Sequence, residues 1–258
     1  MFGFMPGNSQ GLHRAAACGF EQNATDYERA RPAYPPEAVT FIVDQLALGP
    51  GRTIVDVGAG TGKLTRLLIP SGATIVAVEP VAAMRRELLR VSPEVVVHDA
   101  AAEELPFERG TIDAVVCAQA FHWFATATVL REFARVLKHG GHLVLIWNVR
   151  DNSVDWVRRF TDLLKPYEGD RPDHNRGHWR EAFDRDVPFA PLETVSFFQH
   201  QSMTPDLLVA RAASMSFVGA LDGRTRAEVL QRVRQLGSEQ GRNFILPYRT
   251  DVHLTCRR

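Results

Sequence analysis

The chain is short of cysteine, of net charge and of long apolar runs, and each shortage removes a class of protein. Its three cysteines, Cys18, Cys117 and Cys256, are odd in number, far apart and without C-x-x-C spacing. That usage suits a reducing compartment and argues against a structural zinc. The nine histidines show no metal-ligand spacing either, so no metal is expected. Thirty basic residues balance thirty acidic ones, which gives no support to a nucleic-acid scaffold or a membrane-surface binder. No run approaches the ~18 apolar residues that a spanning helix needs. The N-terminal MFGFMPGNSQGLHR has no basic leader before an apolar core, so no secretory signal is expected. The expectation is a cytoplasmic protein with neither membrane nor nucleic acid as partner.

What is present is an ordinary globular composition: 258 residues, 45% hydrophobic and 23% charged, enough for one domain or one domain with a modest lid. The most informative stretch is TIVDVGAGTGKLT, Thr53 to Thr65. It reads as a short buried strand that turns on glycines and opens a helix over Lys63–Ile69. Gly58, Gly60 and Gly62 let the backbone fold tightly and approach a ligand where a Cβ would collide. The helix N-terminus then directs its N–H groups at that ligand. Asp56, at the strand end, is placed to orient the loop or to accept from a ligand ammonium. A phosphate-cradling P-loop would need glycine where Val57 stands and Ser or Thr where Leu64 stands. A dinucleotide fingerprint would need its third glycine where Lys63 stands. The pattern is instead D-x-G-x-G-x-G.

Upstream, residues 1–20 read as irregular and then loosely helical over 12–18. YERARPAYP (Tyr27 to Pro35) follows, and its prolines fix an extended segment. Arg31 there is either a solvated linker residue or, with Tyr27, folds over the glycine turn. Pro36–Leu48 has helical spacing and stops at Gly49-Pro50-Gly51. A second strand, TIVAV, ends in Glu79, about 20 residues beyond the turn, where an acid accepts from the ribose hydroxyls of an adenosine. A helix over Val81–Arg90 and a strand EVVVH lead to the loop DAAAEELPF, Asp99–Phe107. Thr111–Cys117 is a fourth strand running into AQAFHWF. Its carboxyl end faces the ligand crevice of such a sheet, which brings in Gln119, His122 and Trp123. The alternative is that the aromatics are core and His122 a satisfied polar residue. Val129–Leu137 reads as a helix with a glycine C-cap at Gly140-Gly141. A fifth strand closes on Trp147, Asn148, Arg150 and Asp151, with Arg150–Asp151 either a substrate-facing rim or a surface ion pair. Beyond it come an amphipathic helix over Val154–Leu164 and an irregular stretch anchored by Trp179 and Phe183. A strand over Thr194–Gln201, helices Pro205–Ser214 and Arg224–Leu236, and a last strand Tyr248–Cys256 complete the chain.

Together these motifs resemble the class I S-adenosylmethionine (SAM)-dependent methyltransferases of the type 11 group. Y-x-x-x-R-P-x-Y-P (Tyr27–Pro35), F-H-W (Phe121–Trp123) and W-N-x-R-D (Trp147–Asp151) are similar to a small-molecule branch that includes trans-aconitate-methyltransferase-like proteins. The resemblance implies an α/β fold: a Rossmann-like, seven-stranded, mostly parallel sheet flanked by helices, with the seventh strand antiparallel and a helical cap inserted late in the chain. It implies residues 1–26 as an N-terminal segment, 27–151 as the SAM-binding core, and 152–258 as cap helices plus strands 6 and 7 completing the same domain. It further implies SAM as cofactor, S-adenosylhomocysteine as product and a small-molecule acceptor, with an oxygen nucleophile favoured. The cofactor would be held by Tyr27, Arg31, Asp56, Gly58, Ala59, Gly60, Gly62, Glu79, Pro80, Ala101, Ala102, Glu103, Gln119, Phe121 and Trp123. Within that set Arg31 would pair the methionine carboxylate, and Ala101 stands where an adenine-binding acid is usual. His122 is the candidate base for a hydroxyl acceptor, and Arg150 the candidate group for positioning a carboxylate one. The rival readings are a SAM-binding protein that does not transfer methyl, or one that uses a SAM-like ligand for another reaction. An NAD-dependent oxidoreductase is disfavoured by the glycine spacing, and a nucleic-acid base methylase by AQAFHW after strand 4.

Overall fold

The computed structural model describes residues 24–170, 172–184 and 186–258. The irregular start and the helix expected over 12–18 lie outside the described residues. In chain order the elements are α1 (Ala24–Ala30), α2 (Pro36–Gln45), β1 (Thr53–Val57), α3 (Lys63–Leu68), β2 (Thr74–Val78), α4 (Ala82–Val91), β3 (Val96–His98), β4 (Ile112–Ala118), α5 (Ala127–Val136) and β5 (Leu137–Arg150). They continue with α6 (Asp155–Leu164), β6 (Glu193–Met203), α7 (Pro205–Ala213), α8 (Ser216–Gly219), α9 (Gly223–Glu239) and β7 (Phe244–Cys256).

The seven strands form one sheet in the order β3-β2-β1-β4-β5-β7-β6. β1 to β5 pair in parallel, and β7 runs antiparallel between β5 and β6. This is the expected Rossmann-like sheet. The order reverses between β1 and β4, so the loops leaving those two strands part and leave a crevice.

Both faces of the central strands are covered, which is why β1 and β4 read as nearly unbroken apolar runs. Alternate residues go to opposite layers. Val55, Val57, Val115 and Cys117 pack with Leu130 and Phe133 of α5 and with Trp179. Ile54, Ala114 and Val116 pack against Ala38 and Ile42 of α2 and Leu64 and Leu68 of α3. A third apolar cluster belongs to the late helices: Val157 and Phe160 of α6, Leu208 and Ala212 of α7, and Val229 and Val233 of α9, closed by Tyr248.

Local chemistry sets several boundaries. Thr126 and Thr204 cap α5 and α7 through their hydroxyls, and Asp222 caps α9 through its carboxylate, each satisfying N–H groups that a helix start leaves orphaned. One expectation fails here. Gly140-Gly141 does not cap a helix, because α5 ends at Val136 and the chain passes straight into β5 at Leu137. The glycines instead bend the start of that strand. Gly140 has φ +72°, and a Cβ on Gly141 would lie 2.9 Å from the Lys138 carbonyl oxygen. The bend is held from just beyond β7, where the Arg257 N–H donates to the Gly141 carbonyl at 2.8 Å.

Candidate active site

The glycine turn lies at the carboxyl end of β1. Gly58 and Ala59 donate their N–H groups to the Val78 carbonyl at the end of β2, which fixes the turn against its neighbour. Gly58, Gly60 and Gly62 have φ of +69°, +59° and +80°, a region that costs other residues strain. A Cβ on Gly58 would lie 2.7 Å from the Ala120 Cβ, so the turn packs directly on the loop after β4; around Gly60 a Cβ would meet nothing within 4 Å.

Glu79 is buried and receives one backbone N–H on each oxygen, Gly60 at 2.8 Å and Val81 at 2.8 Å. Burial pushes its carboxyl up, opposed by those two hydrogen bonds. Pro80 follows it on the surface. Asp56 lies beneath the turn, fully buried. Its Oδ2 accepts the Thr65 hydroxyl at 2.6 Å, while its Oδ1 has no partner. Desolvation pushes this carboxyl up to about 7. Asp56 thus braces the first turn of α3.

Over the turn runs a strap formed by α1 and the proline segment after it. Glu28 accepts the Thr61 hydroxyl at 2.5 Å and the Arg66 guanidinium at 2.5 Å, and Lys63 donates to the Glu28 carbonyl oxygen at 2.6 Å. Further on, the Ala33 carbonyl accepts from Asn148 of β5 and Gln199 of β6, both at 3.0 Å. Arg31 lies with its guanidinium 4.8 Å from the Tyr27 ring centre and donates to the Ser214 hydroxyl at 3.3 Å. Burial, then the charge of Arg211, lower its pKa to about 9. The space left between strap and turn is small, about 30 Å³.

Beside it opens a cavity of about 660 Å³. Tyr27, Arg31, Gln119, Asn148 and Arg211 line both spaces, so the two adjoin. Gln119 sits at the junction with φ +59°, an uncommon conformation for a residue with a side chain, of the kind found at functional sites. His122, Trp123, Trp147 and Arg150 also line the larger cavity. The Trp147 indole N–H donates to His122 Nδ1 at 3.2 Å, which assigns the His122 proton to Nε2. Arg150 lies over the Phe160 ring at 5.2 Å, and burial, then Arg211, lower it to about 10.

Other expected residues stand elsewhere. Phe121 is fully buried in the core, meeting Phe124, Trp179 and Phe183 edge-on or tilted. Ala102 belongs to the same cluster. Glu103 lines a separate cavity with Arg131 and Arg135, and Ala101 is half-buried at the start of that loop. Asp99 is tied to Arg85 by two hydrogen bonds of 2.9 and 2.7 Å. The sequence reading missed Arg211, Ser214 and Tyr248, which come from the late helices and β7. Nothing in the spacing of PDLLVARAA distinguishes a buried arginine from an exposed one.

A methyltransferase-domain family profile matches residues 55–145, from the first strand to the fifth. An uncharacterized methyltransferase of Mycobacterium tuberculosis is 38% identical over 210 residues, covering 81% of this chain and 82% of that one. The chain belongs to the SAM-dependent methyltransferases. An uncharacterized methyltransferase-like protein of Schizosaccharomyces pombe is 34% identical over 211 residues, covering 81% of this chain and 82% of its own. Among solved structures, a candidate type II methyltransferase from Anaeromyxobacter dehalogenans superposes with TM-score 0.66 at 24% identity, over 87% of this chain and 97% of that one. Geranyl diphosphate C-methyltransferase from Streptomyces coelicolor, solved with Mg²⁺, geranyl diphosphate and S-adenosylhomocysteine, gives 0.52 at 18% identity, over 86% of this chain and 79% of that one. At these identities the structures share the fold of this methyltransferase.

Proposed function

We propose that this methyltransferase transfers the methyl of SAM to an oxygen of a small-molecule acceptor bound in the 660 Å³ cavity. The observation that carries this reading is the shared wall: Gln119, Asn148 and Arg211 line both the space over the glycine turn and the larger cavity. A group held at the turn therefore faces an acceptor at close range. The cavity has the size of small-ligand sites, roughly 300–1,000 Å³. The three motifs at Tyr27–Pro35, Phe121–Trp123 and Trp147–Asp151 support reading the chain as a member of the trans-aconitate-methyltransferase-like branch, and we take it to be a cytoplasmic enzyme. In this reading residues 27–151 form the cofactor-binding core, and the later helices cap it.

Two observations support the fit of SAM. Each Glu79 oxygen takes one N–H and keeps a lone pair, which suits two ribose hydroxyls. Among the described residues the Arg31 guanidinium is met by the Tyr27 ring and by Ser214 and has no carboxylate partner, which suits a ligand carboxylate. Bound SAM supplies a methyl whose bond to sulfur breaks, the electron pair staying on sulfur, as the acceptor oxygen bonds to carbon. The protein's part is to hold that oxygen in line, roughly 3–3.5 Å from the methyl carbon, and to exclude water with Trp123, Trp147 and the cap. His122 donates from Nε2 to the acceptor. Service as a base would require giving up the Trp147 hydrogen bond, so an acceptor that arrives ionised, positioned by Arg150, suits the site better.

Calorimetric titration with SAM, S-adenosylhomocysteine and NAD tests the cofactor assignment. The two SAM-type ligands should bind and NAD should not, and Glu79→Ala should weaken both by at least about tenfold, the loss of one charge-assisted hydrogen bond. Binding of NAD alone, or SAM binding indifferent to Glu79, would overturn it.

A further inference from the structure

Three guanidinium groups gather at the two cavities: Arg31 and Arg211 line both and Arg150 lines the larger one. Among the described residues no carboxylate forms an ion pair with any of them. Arg211, on α7, is 5% exposed. Its Nε donates to the Tyr248 hydroxyl at 3.3 Å, and its Nη1 is buried with no partner. Arg150 has the Phe160 ring beneath it, and Arg31 has Tyr27 and Ser214. Elsewhere the chain pairs its arginines freely, as in Arg85–Asp99, Arg135–Glu132 and Arg249–Asp251. Acidic residues do line the larger cavity, Asp162, Glu168 and Asp173 among them, but within the described residues none comes within ion-pairing distance of these three guanidiniums.

Burial is the main cause that lowers both Arg31 and Arg150, and the charge of Arg211 is the second for each. The groups that oppose this for Arg150 are Tyr248, then Glu168 and Asp173, which line the same cavity and form no ion pair with it among the described residues. A buried charge without a counter-charge is costly, and an anion placed between two such groups would relieve that cost. Guanidinium donors also suit the planar or tetrahedral oxygens of carboxylate and phosphate.

We propose that Arg150 and Arg211, the latter oriented by the Tyr248 hydroxyl that accepts from its Nε, form the anion-binding end of the acceptor site, so that the acceptor is a small organic anion. The assignment rests on the preceding reading, in which Arg31 is engaged by the cofactor's carboxylate and the other two guanidiniums remain for the acceptor. Arg211 lies on a cap helix, so anion recognition couples the cap to the sheet. The rest of the acceptor occupies the part of the cavity walled by Trp123, Trp147 and His174.

Trp123 and Trp147 allow a direct test by intrinsic fluorescence on the full chain, with and without S-adenosylhomocysteine. The probes are phenylacetate, phenyl phosphate and the uncharged phenylacetamide. At least one anion should bind about tenfold or more tightly than the amide, and Arg150→Gln should remove that preference while S-adenosylhomocysteine affinity stays within about twofold. Arg211→Gln, at a residue that also lines the space over the glycine turn, should remove it in the arm without that ligand. The stronger of the two anions identifies the headgroup as carboxylate or phosphate. Tyr248→Phe, which leaves both charges in place, should weaken the anion by a smaller factor and serves if Arg211→Gln does not fold. Equal binding of anion and amide, no response to either anion, or an anion preference untouched in the variants would overturn the assignment. Loss of S-adenosylhomocysteine binding by the unaltered chain would instead strike the cofactor reading, since the arm without that ligand still reports on the anion site.

Discussion

His174 stacks on Trp147 with ring centres 4.2 Å apart, and His253 meets Trp179 at 5.0 Å, so two imidazoles are built into an indole cluster that reaches the acceptor cavity through Trp147 and His174. Burial lowers both to about 4, with Arg180 adding to the effect on each and Asp251 opposing it. His253 Nδ1 shares a 2.7 Å hydrogen bond with Thr194, while its Nε2 has no partner. An unfolded chain protonates its histidines near 6.5, so between about 6.5 and 4 the unfolded state binds more protons than the folded one. Stability from these residues is therefore complete above 6.5 and is lost as pH falls towards 4. Asp56 and Glu79, raised by burial, act in the opposite direction, so a variant is needed to separate the terms. Thermal melts at about pH 7.5 and 5 should show a smaller acid-side loss in His253→Gln than in the unaltered chain. Equal losses would show that His253 does not carry the effect.

At the scale of elements, the glycine turn separates two demands that one motif conceals. Gly58 needs both its positive φ and the space a Cβ would take from Ala120, whereas Gly60 needs only its φ. Gly60→Ala should therefore cost about 1 kcal/mol of stability, and Gly58→Ala distinctly more, because a backbone-mounted methyl group has nowhere to go. Chemical denaturation of the two variants checks the order; equal costs would mean that the loop after β4 yields. The same region explains what was legible in the sequence. β1, β2, β4 and β5 announce themselves as apolar runs, and ligand residues in a parallel sheet cluster at their carboxyl ends, so Glu79, Gln119 and His122 could be named in advance. Gly140-Gly141 was misread because a glycine pair after a helix has the same appearance whether it caps the helix or bends the next strand. Phe121 was assigned to the cofactor although its side chain turns inward, a choice of face that a short turn after β4 does not encode. Gln119 carries no sign of its left-handed backbone, and Arg211 depends on how α7 docks, which only the tertiary packing sets.

Over the whole molecule, the sheet and its cap have separate apolar clusters, joined across the cavities by polar side chains and by the strap. The strap is where they are most firmly tied. Thr61, Lys63 and Arg66, all from the turn and α3, converge on the single residue Glu28, and the space beneath is only about 30 Å³. A nucleoside ligand is many times larger. Entry of such a ligand is therefore expected to require Glu28 to release its partners, which would raise the measured dissociation constant above the intrinsic one by the reciprocal of the open fraction. Glu28→Gln keeps the shape but removes the charge that draws Lys63 and Arg66, so it should raise the association rate for S-adenosylhomocysteine, by about tenfold if the latch is worth ~1.4 kcal/mol. Stopped-flow fluorescence would measure it, and an unchanged rate would mean that the strap is already open when the ligand arrives. On that prediction the residue that closes the site would also set its tempo, Glu28 acting as a gate whose resting occupancy discounts every encounter.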